Sequence, residues 1–325
     1  MPPILTVQDL RVHYKTEAGL VHAVNGVTFD LQSGEALTIV GESGAGKTVA
    51  MLALLKLIDP PGEIISGRVI FDGQDLLQCS PSELQQVRGR RIALIQQDPQ
   101  AALNPVLPIG LQVSEALTVH RKLSKTEERA QTIDLLEKVG IPDSVRQLDR
   151  YAHQLSGGMA QRVMIAIALA AQPEILIADE PTSALDVTVQ AEIIDLLLGL
   201  QKDIGMAMIW ITHDLGVVAR VAQRVLVMYA GMIMEESQVE ELFRAPRHPY
   251  TIGLLNARPR MDGTPGRRLY NIPGQPLELL EEPKGCPFAP RCRYASGRCR
   301  LEMPPMFEVS ETHHSACWEY RRFGS

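Results

Sequence analysis

Residues 41–48, GESGAGKT, and residues 155–162, LSGGMAQR, decide how this chain reads. The first matches the phosphate-loop pattern GxxxxGK[ST]. It stands in the context that gives the pattern meaning, after an apolar strand (EALTIV) and before a helical run (VAMLALLKLID). Gly41, Gly44 and Gly46, with Ser43 and Ala45 between them, let backbone N–H groups curl around phosphate oxygens. The helix that opens through Lys47, Thr48 and Val49 adds a favourable dipole. Lys47 is expected to reach the β- and γ-phosphates and Thr48 to ligate Mg²⁺. In LSGGMAQR, Ser156 can cap a helix while Gly157 and Gly158 leave its first N–H groups bare. That is an anion site with no lysine of its own. A chain that already has a complete phosphate loop has most use for it on a nucleotide held by another chain.

ILIADE, 175–180, supplies the other half of the chemistry. A run of apolar residues makes a buried strand. Two carboxylates stand at its C-terminal end, where α/β sheets bind ligands. Asp179 is expected to hold Mg²⁺, directly or through water. Glu180 is expected to act as general base on the attacking water.

The remaining chain fits a soluble globular protein. It has 325 residues, 45% hydrophobic and 22% charged, enough for one large domain and a small one. The net charge of -6 argues against a dedicated nucleic-acid binder, which presents a basic face. No secretion signal is visible at the start, and no run of about 18 apolar residues appears. Strands alternating with helices predict a mixed, largely parallel α/β sheet covered on both faces. The strand signals are ILTVQDLRVHY, VNGVTFDL, RVIFDG, RIALIQ, MAMIWITHD and RVLVMYAG. Helical periodicity dominates from about 98 to 172, which reads as an inserted helical subdomain. From about 246 the chain turns rich in proline, arginine and glycine, a loop-rich extension to residue 325 with too few apolar residues for a strong core.

Taken together, GESGAGKT, Gln97, LSGGMAQR, ILIADEP, SALD and His213 resemble the nucleotide-binding subunits of ABC transporters, over roughly residues 4–245 and in the expected order. The resemblance implies an ABC-type P-loop ATPase core working as a head-to-tail dimer. Each of two ATP molecules would lie between one phosphate loop and the opposite LSGGM. It implies roles for single residues. Tyr14 stacks on adenine, although an ordinary strand aromatic reads the same way. Gln97 senses Mg²⁺ and the attacking water, Asp186 links the two sites, and His213 is the switch histidine at the γ-phosphate. No motif is degraded, so a working half-site is expected at each position.

The tail narrows the resemblance. HPYTIGLLNARP, IPGQPLEL and GCPFAPRCRYASGRC are similar to the C-terminal extension of ATPases from dipeptide and oligopeptide importers. This implies a peripheral ATPase on the cytoplasmic face of the cell membrane. It would work with a second, different ATPase chain, two transmembrane permease subunits and an extracytoplasmic substrate-binding protein. Importers of the same branch for nickel, glutathione or antimicrobial peptides are the alternative. A soluble ABC ATPase acting on nucleic acid or the ribosome is a remote one.

Four of the five cysteines crowd this tail: Cys286, Cys292, Cys299 and Cys317, spaced C-x5-C-x6-C-x17-C. Disulfides do not suit a reducing cytosol, and zinc sites more often show C-x2-4-C pairs. Four thiolates on a proline-stiffened loop suit a 4Fe–4S cluster, which some importers of this branch carry. Zinc and no metal at all both stay open, and His313 and His314 could substitute as ligands. Cys79 reads as an inert thiol.

Overall fold

The computed structural model describes residues 2–257, 271–277 and 279–323. Residues 258–270, which the sequence places in the proline- and arginine-rich loop, lie outside the described residues. The chain forms two compact units. One comprises Met1–Gln32, Ala36–Gln78 and Ile211–Ser325; the other comprises Ser33–Glu35 and Cys79–Trp210.

The first unit opens on a hairpin. Strands Leu5–Thr16 and Gly19–Leu31 pair antiparallel, with Val12 opposite Val24 and Thr16 opposite Gly19. These strands are longer than the sequence suggests, because the ladder continues through KT and GLVHA to a tight turn. Irregular register near Asp9, whose φ is +44°, absorbs the twist. Gly62–Phe71 and Gln74–Asp75 complete a four-stranded sheet. A second set of strands is built on Ala36–Val40, which runs parallel to Arg224–Tyr229. Ala36–Val40 is buried at every residue, as an apolar run covered on both faces should be. Met232–Gln238 follows antiparallel to Arg224–Tyr229.

The extension is not a compact unit by itself. His313–Ser315 pairs with Met232–Gln238, placing Ser315 opposite Glu235 and His313 opposite Ser237, and Phe307–Ser310 adds the outer strand. Ile272, Leu279, Phe288 and Ala316 join Val225, Val227, Tyr229 and Tyr250 in one apolar cluster. A tail too poor in apolar residues to make a core shares that of the rest of its unit. A buried polar knot reinforces the join. Glu235 and His313 are both inaccessible to solvent, and the His313 Nε2 to Glu235 Oε1 distance is 2.7 Å. The backbone N–H groups of Arg247 and His248 donate to the same carboxylate.

The second unit holds the parallel strands Ile92–Ile95 and Ile175–Asp179, with Ala207–Thr212 entering beside the latter. Helices Ile109–Thr118, Lys125–Lys138, Gly157–Leu169 and Val187–Ile204 accompany them. The helices of 98–172 therefore share a compact unit with core strands. Ser124 and Glu127 close a capping box at Lys125–Lys138, fixing where that helix starts. Among the described residues no helix is long and apolar enough to cross a membrane.

Candidate functional site: a phosphate loop, a carboxylate strand end and a glycine-led helix

The phosphate loop follows directly from the buried strand Ala36–Val40 and turns straight into the helix Lys47–Leu54. Its glycines serve different ends. Gly41 passes so close to the next strand that a Cβ would lie 2.2 Å from Met228 O. Gly44 has open space around it but a φ of +80°, so the backbone conformation demands it. Gly46 needs both: its φ is +92° and a Cβ would meet Ala23 O at 2.3 Å. The buried Lys47 returns across the loop, donating from Nζ to Gly41 O at 2.8 Å and to Glu42 O at 3.0 Å. Ala45 is buried, Val49 half-buried, and Ser43, Gly44 and Thr48 are exposed, Thr48 in the first helical turn. Curled backbone, a helix start, a fixed ammonium and an available hydroxyl form a donor set that fits a polyphosphate and its Mg²⁺.

The carboxylate pair stands at the end of Ile175–Asp179. Asp179 is buried, and Glu180 is half-buried in left-handed backbone, φ +45°. A non-glycine residue in that region costs free energy, and such residues gather at functional sites. Gln97 reaches this carboxylate: its Nε2 donates to Glu180 Oε2 at 3.2 Å and to Ser183 Oγ at 3.5 Å. The structure thus brings together a carboxylate and an amide 83 residues apart in sequence.

The LSGGM segment starts the helix Gly157–Leu169. Ser156 is the N-cap, its Oγ accepting from Met159 N at 3.3 Å. Gly157 has ordinary room, since a Cβ there would lie 3.6 Å from Leu185 Cδ2, whereas a Cβ on Gly158 would lie 2.7 Å from Val189 Cγ1. Val189 belongs to the helix Val187–Ile204, which Asp186 caps by accepting from Thr188 N and Val189 N at 3.1 and 3.0 Å. Asp186, in SALD, therefore sets the start of the helix against which Gly158 packs. The sequence D-V-T-V-Q carries the signal for that cap, but the resemblance points only to a linking role.

Tyr14 is half-buried on Leu5–Thr16, its ring lying over Gly62, where a Cβ would come within 2.6 Å of Cε1. His213 is exposed at the end of Ala207–Thr212, followed by Asp214, which caps the helix Leu215–Val221. Tyr14, the phosphate loop and His213 belong to the first unit. Gln97, Ser156, Gly157, Gly158, Asp179, Glu180 and Asp186 belong to the second.

The four tail cysteines line a single small cavity together with His248, Phe288 and Trp318. Burial pushes the thiols up, Cys286 to about 11 and Cys317 to about 12, with Cys292 raised as well. Backbone hydrogen bonds oppose this at each of the three sulfurs: from Phe288 and Ala289 to Cys286, from Tyr294 to Cys292, and from Glu319 to Cys317. Such donors favour thiolates. Among the described residues, however, no three His, Cys, Asp or Glu side chains are gathered as one metal ion would require. Cys79 is buried.

Sequence reasoning also missed what Glu42 does inside the phosphate loop. Its N–H donates to Tyr250 Oη at 2.8 Å, and its carboxylate receives Arg291 at 2.6 and 3.0 Å. Tyr250 and Arg291 lie in HPY and APRC, segments that read in the sequence only as marks of the tail.

The chain is matched by a family model for ABC transporters over residues 24–183 and by one for the oligopeptide/dipeptide transporter C-terminal region over residues 234–299. It is 50% identical to the oligopeptide transport ATP-binding protein OppD of Bacillus subtilis, over 97% of this chain and 88% of that protein. It is 46% identical to the dipeptide transport ATP-binding protein DppD of Escherichia coli, over 97% and 96%. Among solved structures it resembles the dimeric, post-hydrolysis ATP-binding cassette MJ0796 bound to ADP and Pi. That match has a TM-score of 0.66 at 28% identity, covering 72% of this chain and 98% of that one.

Proposed function

This chain belongs to the ABC transporter family, as an ATP-hydrolysing cassette of the oligopeptide and dipeptide branch, and from that premise we propose that it drives the import of short peptides through a membrane permease. The observation that carries the catalytic part is the contact of Gln97 with Glu180 at the end of a buried strand. Glu180 would take the proton of the attacking water, and Gln97 would orient that water through the amide it shares with the carboxylate. Lys47 and the loop N–H groups would hold the phosphates, and Thr48 would ligate Mg²⁺ on the side of the first unit; Asp179 and Gln97 are the second unit's own candidates for Mg²⁺. Bound MgATP supplies the electrophilic phosphorus; the chain orients the water and neutralises the charge that develops.

Dimerisation is supported by Ser156, Gly157 and Gly158, which expose helical N–H groups on a segment that has no lysine of its own. The solved dimeric cassette is in keeping with this. Asp186 would connect the two sites, His213 would contact the γ-phosphate, and Tyr14 would face adenine from its place on Gly62. A permease partner is supported by a groove of about 490 Å³ in the second unit, where Val119, 63% exposed, lies near Gln85, Leu94 and Ile167. A groove that mixes apolar residues with Arg88 and His120 suits a helix from a membrane subunit that presents both an apolar face and polar ends. A peripheral position on the cytoplasmic face and an extracytoplasmic receptor follow from the same reading. So does a second, different ATPase chain. The direct test is uptake of labelled di- to pentapeptides by vesicles carrying the assembled transporter. ATP-dependent uptake is expected, and ATP hydrolysis stimulated by nickel or glutathione but not by peptides would overturn the peptide assignment.

For the tail we propose a 4Fe–4S cluster. The shared cavity of four cysteines and the N–H donors at three of them support it. The cluster would be structural, tying a thin segment together. Protein purified without oxygen should show a broad absorbance near ~400 nm that is lost when Cys286 and Cys292 become serine. Colourless, iron-free protein would dismiss it.

A further inference from the structure

We infer that Arg291, in the tail, is a positioning residue for the phosphate loop, holding Glu42 so that nucleotide affinity and the order of the cysteine-bearing tail are one coupled quantity. This rests on the reading of 41–48 as the triphosphate site and concerns how that site is regulated.

Glu42 is held at three places. Its N–H donates to Tyr250 Oη at 2.8 Å, its carbonyl receives Lys47 Nζ at 3.0 Å, and its carboxylate receives both terminal nitrogens of Arg291 at 2.6 and 3.0 Å. Two of these three anchors come from beyond residue 245. The Arg291 side chain is only 5% exposed, and that of Glu42 is 26% exposed. The remaining donors of the guanidinium go mainly to the tail's own backbone, with one contact to the hydroxyl of Tyr229. Nε donates to Pro273 O at 2.9 Å, and the terminal nitrogens also lie near Ile272 O at 3.4 Å and Tyr229 Oη at 3.5 Å. The planar fork thus joins two stretches of the tail to the loop in one fixed geometry, which a flexible ammonium could not reproduce.

Arg291 is itself set by the cysteine turn. Its N–H donates to Phe288 O at 3.0 Å, and the next N–H, of Cys292, donates to Ala289 O at 3.3 Å. Whatever reshapes the turn between Cys286 and Cys292 moves the guanidinium. Displacement of the guanidinium frees the carboxylate of Glu42, and with it the carbonyl that aims Lys47. Coupling of this kind is reciprocal: if the ordered tail favours nucleotide, bound nucleotide must favour the ordered tail. A pure staple would stabilise the tail and leave affinity alone.

The experiment uses the full chain with Arg291→Gln, Glu42→Gln, the double variant, Arg291→Lys and Lys47→Ala. Equilibrium binding of a fluorescent ATP analogue with Mg²⁺ is measured at a temperature where circular dichroism shows each to be folded. Each single Gln variant should weaken binding about tenfold, the double variant no more than either alone, and Arg291→Lys should fall between. Hydrogen exchange at residues 286–299 should slow on adding ATP in the wild type and should not respond in Arg291→Gln. Should Arg291→Gln not fold, Glu42→Gln carries the same two readings with the tail sequence intact. Wild-type affinity and a wild-type exchange response in a folded Arg291→Gln chain would overturn the proposal, as would strictly additive losses in the double variant. Lys47→Ala separates the two levels. If it too binds normally, the triphosphate site itself is misread; if it alone loses nucleotide, only the coupling is.

Discussion

Replacing Glu180 with Gln should leave nucleotide binding intact and lower the turnover of ATP by about 10²–10⁴-fold, the contribution typical of a positioned general base. The substitution changes almost nothing in shape. Glu180 sits in left-handed backbone at the end of Ile175–Asp179, and an amide can occupy the same place beside Gln97 and Ser183. What is lost is the ability to accept a proton. The glycines of the phosphate loop and Lys47 are untouched. Binding and chemistry should therefore separate cleanly in a single-turnover assay. Turnover within a few-fold of wild type would assign the base elsewhere. Weakened binding of ATP would show that Glu180 serves the ground state as well.

Putting a side chain on Gly158 should be the more destructive change in the other half of the site. A Cβ there would meet Val189 Cγ1 at 2.7 Å, and Val189 is a stiff, β-branched residue on a helix whose start is pinned by Asp186. The helix Gly157–Leu169 would have to shift away from the place where its first N–H groups now stand. Gly158→Val is expected to reduce ATP hydrolysis by the assembled complex by about 10²-fold or more while the separate chain still binds ATP, because donors aimed at developing charge are sensitive to small displacements. Gly157→Ala is the internal control, since its nearest neighbour, Leu185 Cδ2, is at an ordinary 3.6 Å. Equal activity in the two variants would mean that the close approach of the two helices does not matter to the chemistry.

Much of the site is readable from residues alone, and the reasons are local. A phosphate loop is legible because its chemistry is contiguous: a buried strand, glycines that must adopt positive φ, and a lysine opening a helix all fall within a short stretch. Ser156 and Glu180 are readable for the same reason, one as a cap and the other as a carboxylate ending an apolar run. Gln97 is named by resemblance, and its contact with Glu180 appears only when two parallel strands bring them side by side. The strands of the opening hairpin read too short because Lys15, Thr16 and His22 are polar residues on a ladder that continues regardless. The first helix ends at Leu54, short of the helical run VAMLALLKLID, because Lys56 turns into left-handed backbone. The tail is the least legible part. Its apolar residues are too sparse to predict a core, and they find one by adding strands beside Met232–Gln238 and by burying Phe288 against Tyr229 and Tyr250.

The tyrosine of HPY shows how a sequence signature can hide its physics. His248 is wholly buried, and burial holds its pKa down to about 3, so the ring is neutral and its Nδ1 accepts from Tyr250 N at 3.1 Å. Pro249 opens the helix Pro249–Ala257, where a missing N–H costs nothing. Tyr250 is thereby aimed at the phosphate loop. Each of the three residues has a separate task, and only the last touches the nucleotide-binding segment.

If LSGGM acts on a nucleotide held by another polypeptide, the two stretches must serve different ATP molecules. The most direct measurement is photocrosslinking from an azido-ATP carrying its reactive group on the γ-phosphate, in the assembled complex, with Lys47→Ala in this chain alone. Labelling of residues 155–162 of this chain should persist, because the nucleotide that reaches them belongs to the partner's phosphate loop. Loss of that label together with Lys47 would mean that both stretches serve one nucleotide within one chain, and the two-chain account would be contradicted.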